Sequence, residues 1–172
     1  RSGCTWDSLM DGKAHYTANL LSGAAMVLFA AAEMPAETVV PVLIGSAAGT
    51  FITPDYDFEH NLPKWKISKI PVLGPLWNLL WYPYALLVKH RSFVSHSPVF
   101  GTLGRIGYLL GAALFTCWVM GSLWQGAEQW LPMLVNWLSA MWDSGIALLI
   151  IVPWCVQDIV HLTLDLPVWK RS

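Results

Sequence analysis

The chain has 172 residues, 55% of them hydrophobic and only 12% charged, with 11 tryptophans and a mean hydropathy of +0.49. Average soluble domains carry about 25% charged residues, so this composition favours a membrane protein over a soluble helical protein with an unusually apolar core. The net charge of −1 and the isoelectric point near 6.5 provide no basic field for a polyanion. Nucleic acid is therefore not expected as a partner.

Two apolar stretches lie in the first third of the chain. Residues 16–32 carry no charge and predict a first transmembrane helix. Residues 39–53 predict a second one, which Pro54 ends because the residue before a proline is disfavoured in the α conformation. Small side chains in the second stretch allow close approach of a neighbouring membrane helix. They are Gly45, Ser46, Ala47, Ala48 and Gly49.

The rest of the chain alternates short and long apolar segments. Residues 76–88 are aromatic and apolar, but 13 residues are too few to span the ~30 Å hydrocarbon layer as a helix. They predict an interfacial or re-entrant helix, as does the Trp-rich segment 129–142. The 22 uncharged residues 106–127 predict the clearest transmembrane helix, and residues 144–164 predict the last, adjusted at Pro153.

Together these segments predict an all-α integral membrane helical bundle, with about four transmembrane helices and two short interfacial or re-entrant helices. No repeat or linker divides the chain, so residues 1–172 are expected to form a single membrane-embedded domain. The start of the chain lacks a basic segment followed by an apolar core and a cleavage site, so no removable signal peptide is expected.

Charge predicts the orientation. Glu33, Glu37, Glu128 and Asp143 fall on one side of this topology, and nine cations fall on the other. By the positive-inside rule the cationic side is cytoplasmic, and both termini lie there. The nine cations are Lys13, Lys64, Lys66, Lys69, Lys89, Arg91, Arg105, Lys170 and Arg171.

The same topology brings a polar cluster to the cytoplasmic end of every predicted span. The clusters are His15; Asp55 and Asp57; His90 and His96; and Asp158, His161 and Asp165. The spacing of the last three places them on one helical face. Ionisable groups at a membrane edge usually pair with one another, with ions or with a functional cavity. Since imidazole and carboxylate groups are ligands for Zn²⁺, Mn²⁺ or Fe²⁺, the clusters predict a shared metal site in this domain.

Each cluster also has a purely structural explanation. His15 could be a solvated side chain at a helix start, and Asp55 with Asp57 could shape a turn. Asp158 and His161 could form a hydrogen-bonded pair between helices. His60 is expected at the surface or outside the ligand set. Cysteine does not compete with these ligands, because the three cysteines form no CxxC pair that would indicate a structural zinc site.

The motifs in this order resemble a bacterial family of metal-binding membrane proteins of unknown function, similar to inner-membrane metal-dependent hydrolases and more remotely to zinc-dependent phospholipase C and P1 nuclease. The resemblance covers residues 10–165. It implies an all-helical fold in the bacterial inner membrane and a centre of one to three metal ions, Zn²⁺ before Mn²⁺ or Fe²⁺. The motifs are Gly-Lys-x-His ending at His15, Pro-Asp-x-Asp at 54–57, His-Arg-Ser and Ser-His-Ser between 90 and 97, and Asp-x-x-His-x-x-x-Asp at 158–165. The implied ligands are His15, Asp55, Asp57, His90, His96 and His161, with Asp158 or Asp165.

The leading functional hypothesis is a metal-dependent hydrolase acting on a phosphoester or lipid-linked substrate at the cytoplasmic face. The metal would activate water, and one of Asp55, Asp57 or Asp158 that is not a ligand would act as general base. Arg91 would bind the anionic group of the substrate. The alternative is a non-catalytic metal-binding, metal-handling or structural membrane protein. A diiron lipid hydroxylase is a weaker third hypothesis, because five histidines are too few for its site.

Overall fold

The computed structural model describes residues 11–53, 70–88, 92 and 97–169, and within these ranges the side chains of residues 15–164. In this part of the chain there are six α-helices and no strand, which confirms the predicted all-α class. A single 3₁₀ turn, Ala36–Thr38, joins the first two helices. The helices are α1 (Asp11–Glu33), α2 (Val39–Phe51), α3 (Leu73–Leu87), α4 (Phe100–Leu123), α5 (Trp130–Asp143) and α6 (Ile146–Trp169).

Two of the described helices are long and apolar enough to cross a membrane. They are α4, with a mean hydropathy of 1.7, and the segment Ile146–Leu164 of α6, with 1.8. These correspond to the third and fourth predicted spans. The first two predicted spans are also helical, as α1 and α2, but they do not reach the same combination of length and hydropathy. The four-span bundle therefore remains a prediction.

The third predicted span has different ends from those expected. Helix α4 begins six residues earlier than 106 and ends at Leu123, four residues before 127. The chain leaves the helix at Trp124, which is extended, and turns at Gly126, whose φ of +95° suits a residue without a side chain. The Glu128 carboxylate accepts a hydrogen bond of 2.6 Å from the Gly126 N–H. This turn, which hydropathy does not reveal, ends the helix.

The two short helices agree with the sequence prediction. Helix α3 has 15 residues and α5 has 14, so each is about 20 Å long and shorter than the hydrocarbon layer. Their location at a membrane interface is still a prediction.

The chain divides into two compact units, one built from residues up to 54 and from 149 onward, and the other from residues 55–148. In the first unit, α1 packs against α2, and α2 packs against α6. The contact with α6 is very close: an added Cβ at Gly45 would lie 2.2 Å from the backbone oxygen of Ile150. The predicted role of small residues in close helix approach is confirmed at this position.

The second unit contains α3, α4 and α5. Its core includes an aromatic cluster formed by Trp81, Tyr84 and Tyr108, whose ring centroids lie 5.2–5.6 Å apart. The hydroxyl of Tyr108 in α4 donates a hydrogen bond to the backbone oxygen of Leu80 in α3. These contacts fix α3 against α4. The single-domain prediction for residues 1–172 is not tested by this division.

Candidate metal site

A pair of histidines joins the first and last helices. His15 lies one turn inside α1, and His161 lies in the second half of α6. Their ring centroids are 4.5 Å apart, with the ring planes tilted by 59°. The His161 side chain is 1% exposed, and that of His15 is partly buried. Two imidazoles from opposite ends of the sequence are thus brought into contact, as the shared-site hypothesis requires.

Asp158 lies one turn before His161 on α6 and is also 1% exposed. Asp158 and His161 are three residues apart on α6 and both are buried, whereas the side chain of Asp165, the third residue of the predicted face, lies outside the described range. Burial of a carboxylate is costly unless the charge is balanced by partners or by a cation. Imidazole and carboxylate groups are ligands of the kind that bind Zn²⁺, Mn²⁺ or Fe²⁺.

One turn away from the histidines, three polar side chains connect all three helices of the first unit. We call Asn19, Thr50 and Gln157 the polar clamp. The amide of Gln157 donates to the backbone oxygen of Asn19 at 2.9 Å and to the hydroxyl of Thr50 at 3.2 Å. The Asn19 amide donates to the backbone oxygen of Gly49 at 3.4 Å, and the Thr50 hydroxyl donates to the Ser46 oxygen at 2.9 Å.

The polar clamp determines which residues of α1 and α6 face each other. Asn19 follows His15 by one turn and Gln157 precedes His161 by one turn, so the two helices run antiparallel at this point. Gly23 and Gly49 make room for Gln157, since an added Cβ would lie 2.5 Å and 2.0 Å from its amide atoms. The hydrogen bonds of the polar clamp thus hold α1 and α6 together one turn away from the histidine contact.

The core of the first unit is unusually polar. Seven of the nine buried polar or charged residues found in the described part of the chain belong to it. Two amide oxygens in this core, Asn19 Oδ1 and Gln157 Oε1, accept no hydrogen bond from the described residues. Buried acceptors of this kind are usually satisfied by water or by a cation. The seven residues are Asn19, Ser46, Thr50, Thr53, Gln157, Asp158 and His161.

The remaining predicted site residues lie outside the part that the structure describes. This applies to Asp55, Asp57, His90, Arg91 and His96, and to His60. Asp165 belongs to α6, but its side chain is also outside the described range. Within the described residues, no group of three or more His, Cys, Asp or Glu side chains is arranged to hold a metal ion. Among the predicted site residues, the structure places His15 and His161 in contact.

Sequence reasoning missed the polar clamp and one buried cation. Asn19 and Gln157 were overlooked because neither carries charge, yet a polar amide within an apolar helix is itself a signal of interhelical contact. Arg105 is predicted only as one of the cations of the cytoplasmic side, and the structure shows that it is 0% exposed in the second unit. Its position one turn before Tyr108, on the face that packs on α3, could have indicated burial.

The fold and the site define an all-α protein in which a pair of histidines from α1 and α6 is in contact and a carboxylate is buried one turn away on α6. Residues 10–171 match the family described as uncharacterized metal-binding protein, DUF2227, and the chain therefore belongs to that family. The match confirms the predicted relationship to metal-binding proteins but gives no support to a relationship with hydrolases, phospholipase C or P1 nuclease. Neither the curated proteins nor the solved structures contain a match.

Proposed function

We propose that this protein binds a divalent metal ion through His15 and His161, with Asp158 as a further ligand or as the group that orients His161, and with more ligands from the predicted clusters. The contact between the imidazole rings of α1 and α6 carries this proposal. Membership of a metal-binding family supports it independently. The further ligands are Asp55, Asp57, His90, His96 and Asp165, which the sequence motifs associate with the same site.

We further propose that the metal site performs hydrolysis of a phosphoester or lipid-linked substrate at the cytoplasmic face of a bacterial inner membrane. A bound divalent ion would supply Lewis acidity, activating water and polarising the substrate oxygen. Whichever of Asp55, Asp57 and Asp158 does not bind the metal would accept the proton of the attacking water. Arg91 would bind the anionic group of the substrate through its forked N–H donors.

The local environment favours Asp158 for a second task. Because it is buried one turn from His161 on the same helix, it is suited to accept an imidazole N–H and fix the orientation of that ring. Asp57 would then be the better candidate for the proton acceptor. This division of roles makes Asp158 important for metal affinity and Asp57 important for turnover.

The second candidate function is metal binding without catalysis. It is favoured by the family description, which names metal binding and no reaction. Both functions share the same ligands, so they differ only in whether a substrate is consumed.

Metal content is the first test. Detergent-purified protein is expected to contain zinc, manganese or iron in a stoichiometric amount, and His15→Ala and His161→Ala are expected to lose most of it. Asp158→Asn is also expected to hold less metal. Its matched control is Asp143→Asn, because Asp143 is an exposed carboxylate in α5. A parent protein without bound metal, or histidine variants that retain it, would contradict metal binding at this site.

Release of phosphate or headgroup from bilayer lipids is the second test. The metal-loaded protein and Asp57→Asn are compared in the same vesicles. Turnover by the parent protein that is lost in Asp57→Asn supports the hydrolase. Stoichiometric metal with no turnover on any phosphoester or lipid ester supports the non-catalytic function.

A further inference from the structure

Helix α3 carries no charge, and Asn78 is its one amide side chain, yet only one side of the helix is covered. Trp81 and Tyr84 are buried on the side that contacts Tyr108 of α4. The opposite side exposes four leucines by 57–80% of their surface, namely Leu76, Leu79, Leu86 and Leu87. A contiguous exposed apolar face usually marks a membrane or protein contact.

The charge around α3 is entirely positive. No acidic residue occurs in the sequence between Glu59 and Glu128. In the same interval, three lysines precede α3 and two further cations follow it directly. The five cations are Lys64, Lys66, Lys69, Lys89 and Arg91. An uncharged apolar helix with cations at both ends complements the phosphate layer and acyl chains of an anionic leaflet.

Helix α5 provides an internal comparison. It is similarly short and also exposes large apolar side chains, including Met133 by 62% and Trp137 by 58%. The charged residues at its two ends are acidic, since Glu128 precedes the helix and Asp143 is its last residue. The two helices thus share apolar exposure and differ in the sign of the flanking charge.

We propose that the exposed face of α3 lies in an anionic lipid leaflet, with the helix along the membrane surface and the flanking cations on lipid phosphates. This inference rests on the membrane location in the proposed function. Cations at both ends favour one leaflet for the whole helix, and its 15 residues span only about 22 Å. An open apolar groove of about 320 Å³, lined by Leu73, Leu76, Trp77 and Leu80, accepts an acyl chain. A surface of this kind binds anionic lipids, so the substrate class of the proposed hydrolase is an anionic lipid.

The test measures the depth of α3 in bilayers of defined charge. A nitroxide label is attached at Leu79→Cys, or at Met133→Cys as the α5 control, after the native cysteines are replaced. The full chain is placed in nanodiscs of phosphatidylcholine, and phosphatidylglycerol is then increased up to an equimolar mixture. Collision rates with oxygen and with a soluble nickel chelate report whether each label contacts lipid or water.

The label at position 79 is expected to move into lipid as phosphatidylglycerol increases, whereas the label at position 133 does not respond to lipid charge. Replacing Lys64, Lys66 and Lys69 with glutamine weakens the partitioning of this surface into the anionic leaflet by about fivefold for each cation removed, so the response at the equimolar mixture is largely lost. The inference is overturned if position 79 stays in water, if its depth is independent of lipid charge, or if the lysine variant responds like the parent protein.

Metal content in the same samples separates this inference from the proposed function. Protein that holds metal but shows no charge-dependent response at position 79 refutes the lipid surface alone. Protein that shows the response but holds no metal refutes the metal site and leaves the lipid surface supported.

Discussion

Substitution of Gly45 by alanine tests the close packing of α2 on α6. The ideal Cβ would lie 2.2 Å from the Ile150 oxygen and 2.9 Å from its carbonyl carbon and Cα. These are backbone atoms, so no side chain can move aside, and the helices must separate by about 1 Å to restore ordinary contact in a close-packed interior. Alanine gains up to about 1 kcal/mol over glycine in helix propensity. Overpacking costs about 1–3 kcal/mol, and the backbone collision places this site at the upper end.

The expected net result is a loss of about 2 kcal/mol in the free energy of unfolding. The matched control is Gly111→Ala in α4, where no atom lies within 4 Å of the added Cβ, so the propensity gain is unopposed. Both variants are unfolded reversibly in mixed micelles by increasing the fraction of denaturing detergent. If Gly45→Ala is as stable as Gly111→Ala or more so, the described packing of α2 on α6 is wrong.

Three further predictions concern the site and the topology. Gln157→Leu removes two hydrogen bonds of about 1 kcal/mol each. It is expected to weaken metal affinity while the helix content measured by circular dichroism is retained. Unchanged metal affinity would show that the polar clamp does not position the histidines. Asp158→Asn lowers metal affinity about 10-fold or more by calorimetry, whereas an equal loss in Asp143→Asn would point to a nonspecific charge effect. In oriented membrane vesicles, a cysteine at Ser92 reacts with an impermeant reagent from the cytoplasmic side and one at Ser144 from the opposite side; labelling of both from one side contradicts the predicted topology.

The helices could be predicted from the sequence because apolar runs and their lengths are local properties. All six helices overlap predicted apolar segments, and the small residues of α2 correctly indicated a close helix contact. The end of α4 could not be predicted in the same way, because it depends on a turn at Gly126 and on the Glu128 side chain. A hydropathy profile contains no information on the geometry of such a turn.

The candidate site was predicted in part for a related reason. Histidines and carboxylates are conspicuous in an apolar sequence, and the expected meeting of His15 with His161 is found in the structure. The polar clamp depends on tertiary contacts between uncharged residues. The roles of Asn19 and Gln157 can therefore be recognised only when the positions of three helices are known. The predicted contributions of residues 55, 57, 90 and 96 stay predictions.

The division of the first unit between the two ends of the chain has a consequence for biosynthesis. Helices α1 and α2 are synthesised before residues 55–148, and α6 follows only after them. At about 5–20 residues per second, those intervening residues delay α6 by roughly 5–20 s. During this time the backbone oxygen of Asn19 and the hydroxyl of Thr50 lack the hydrogen bonds that Gln157 donates to them. The core of the first unit is therefore completed only by the last helix, and a chain that ends before α6 leaves these polar groups uncovered.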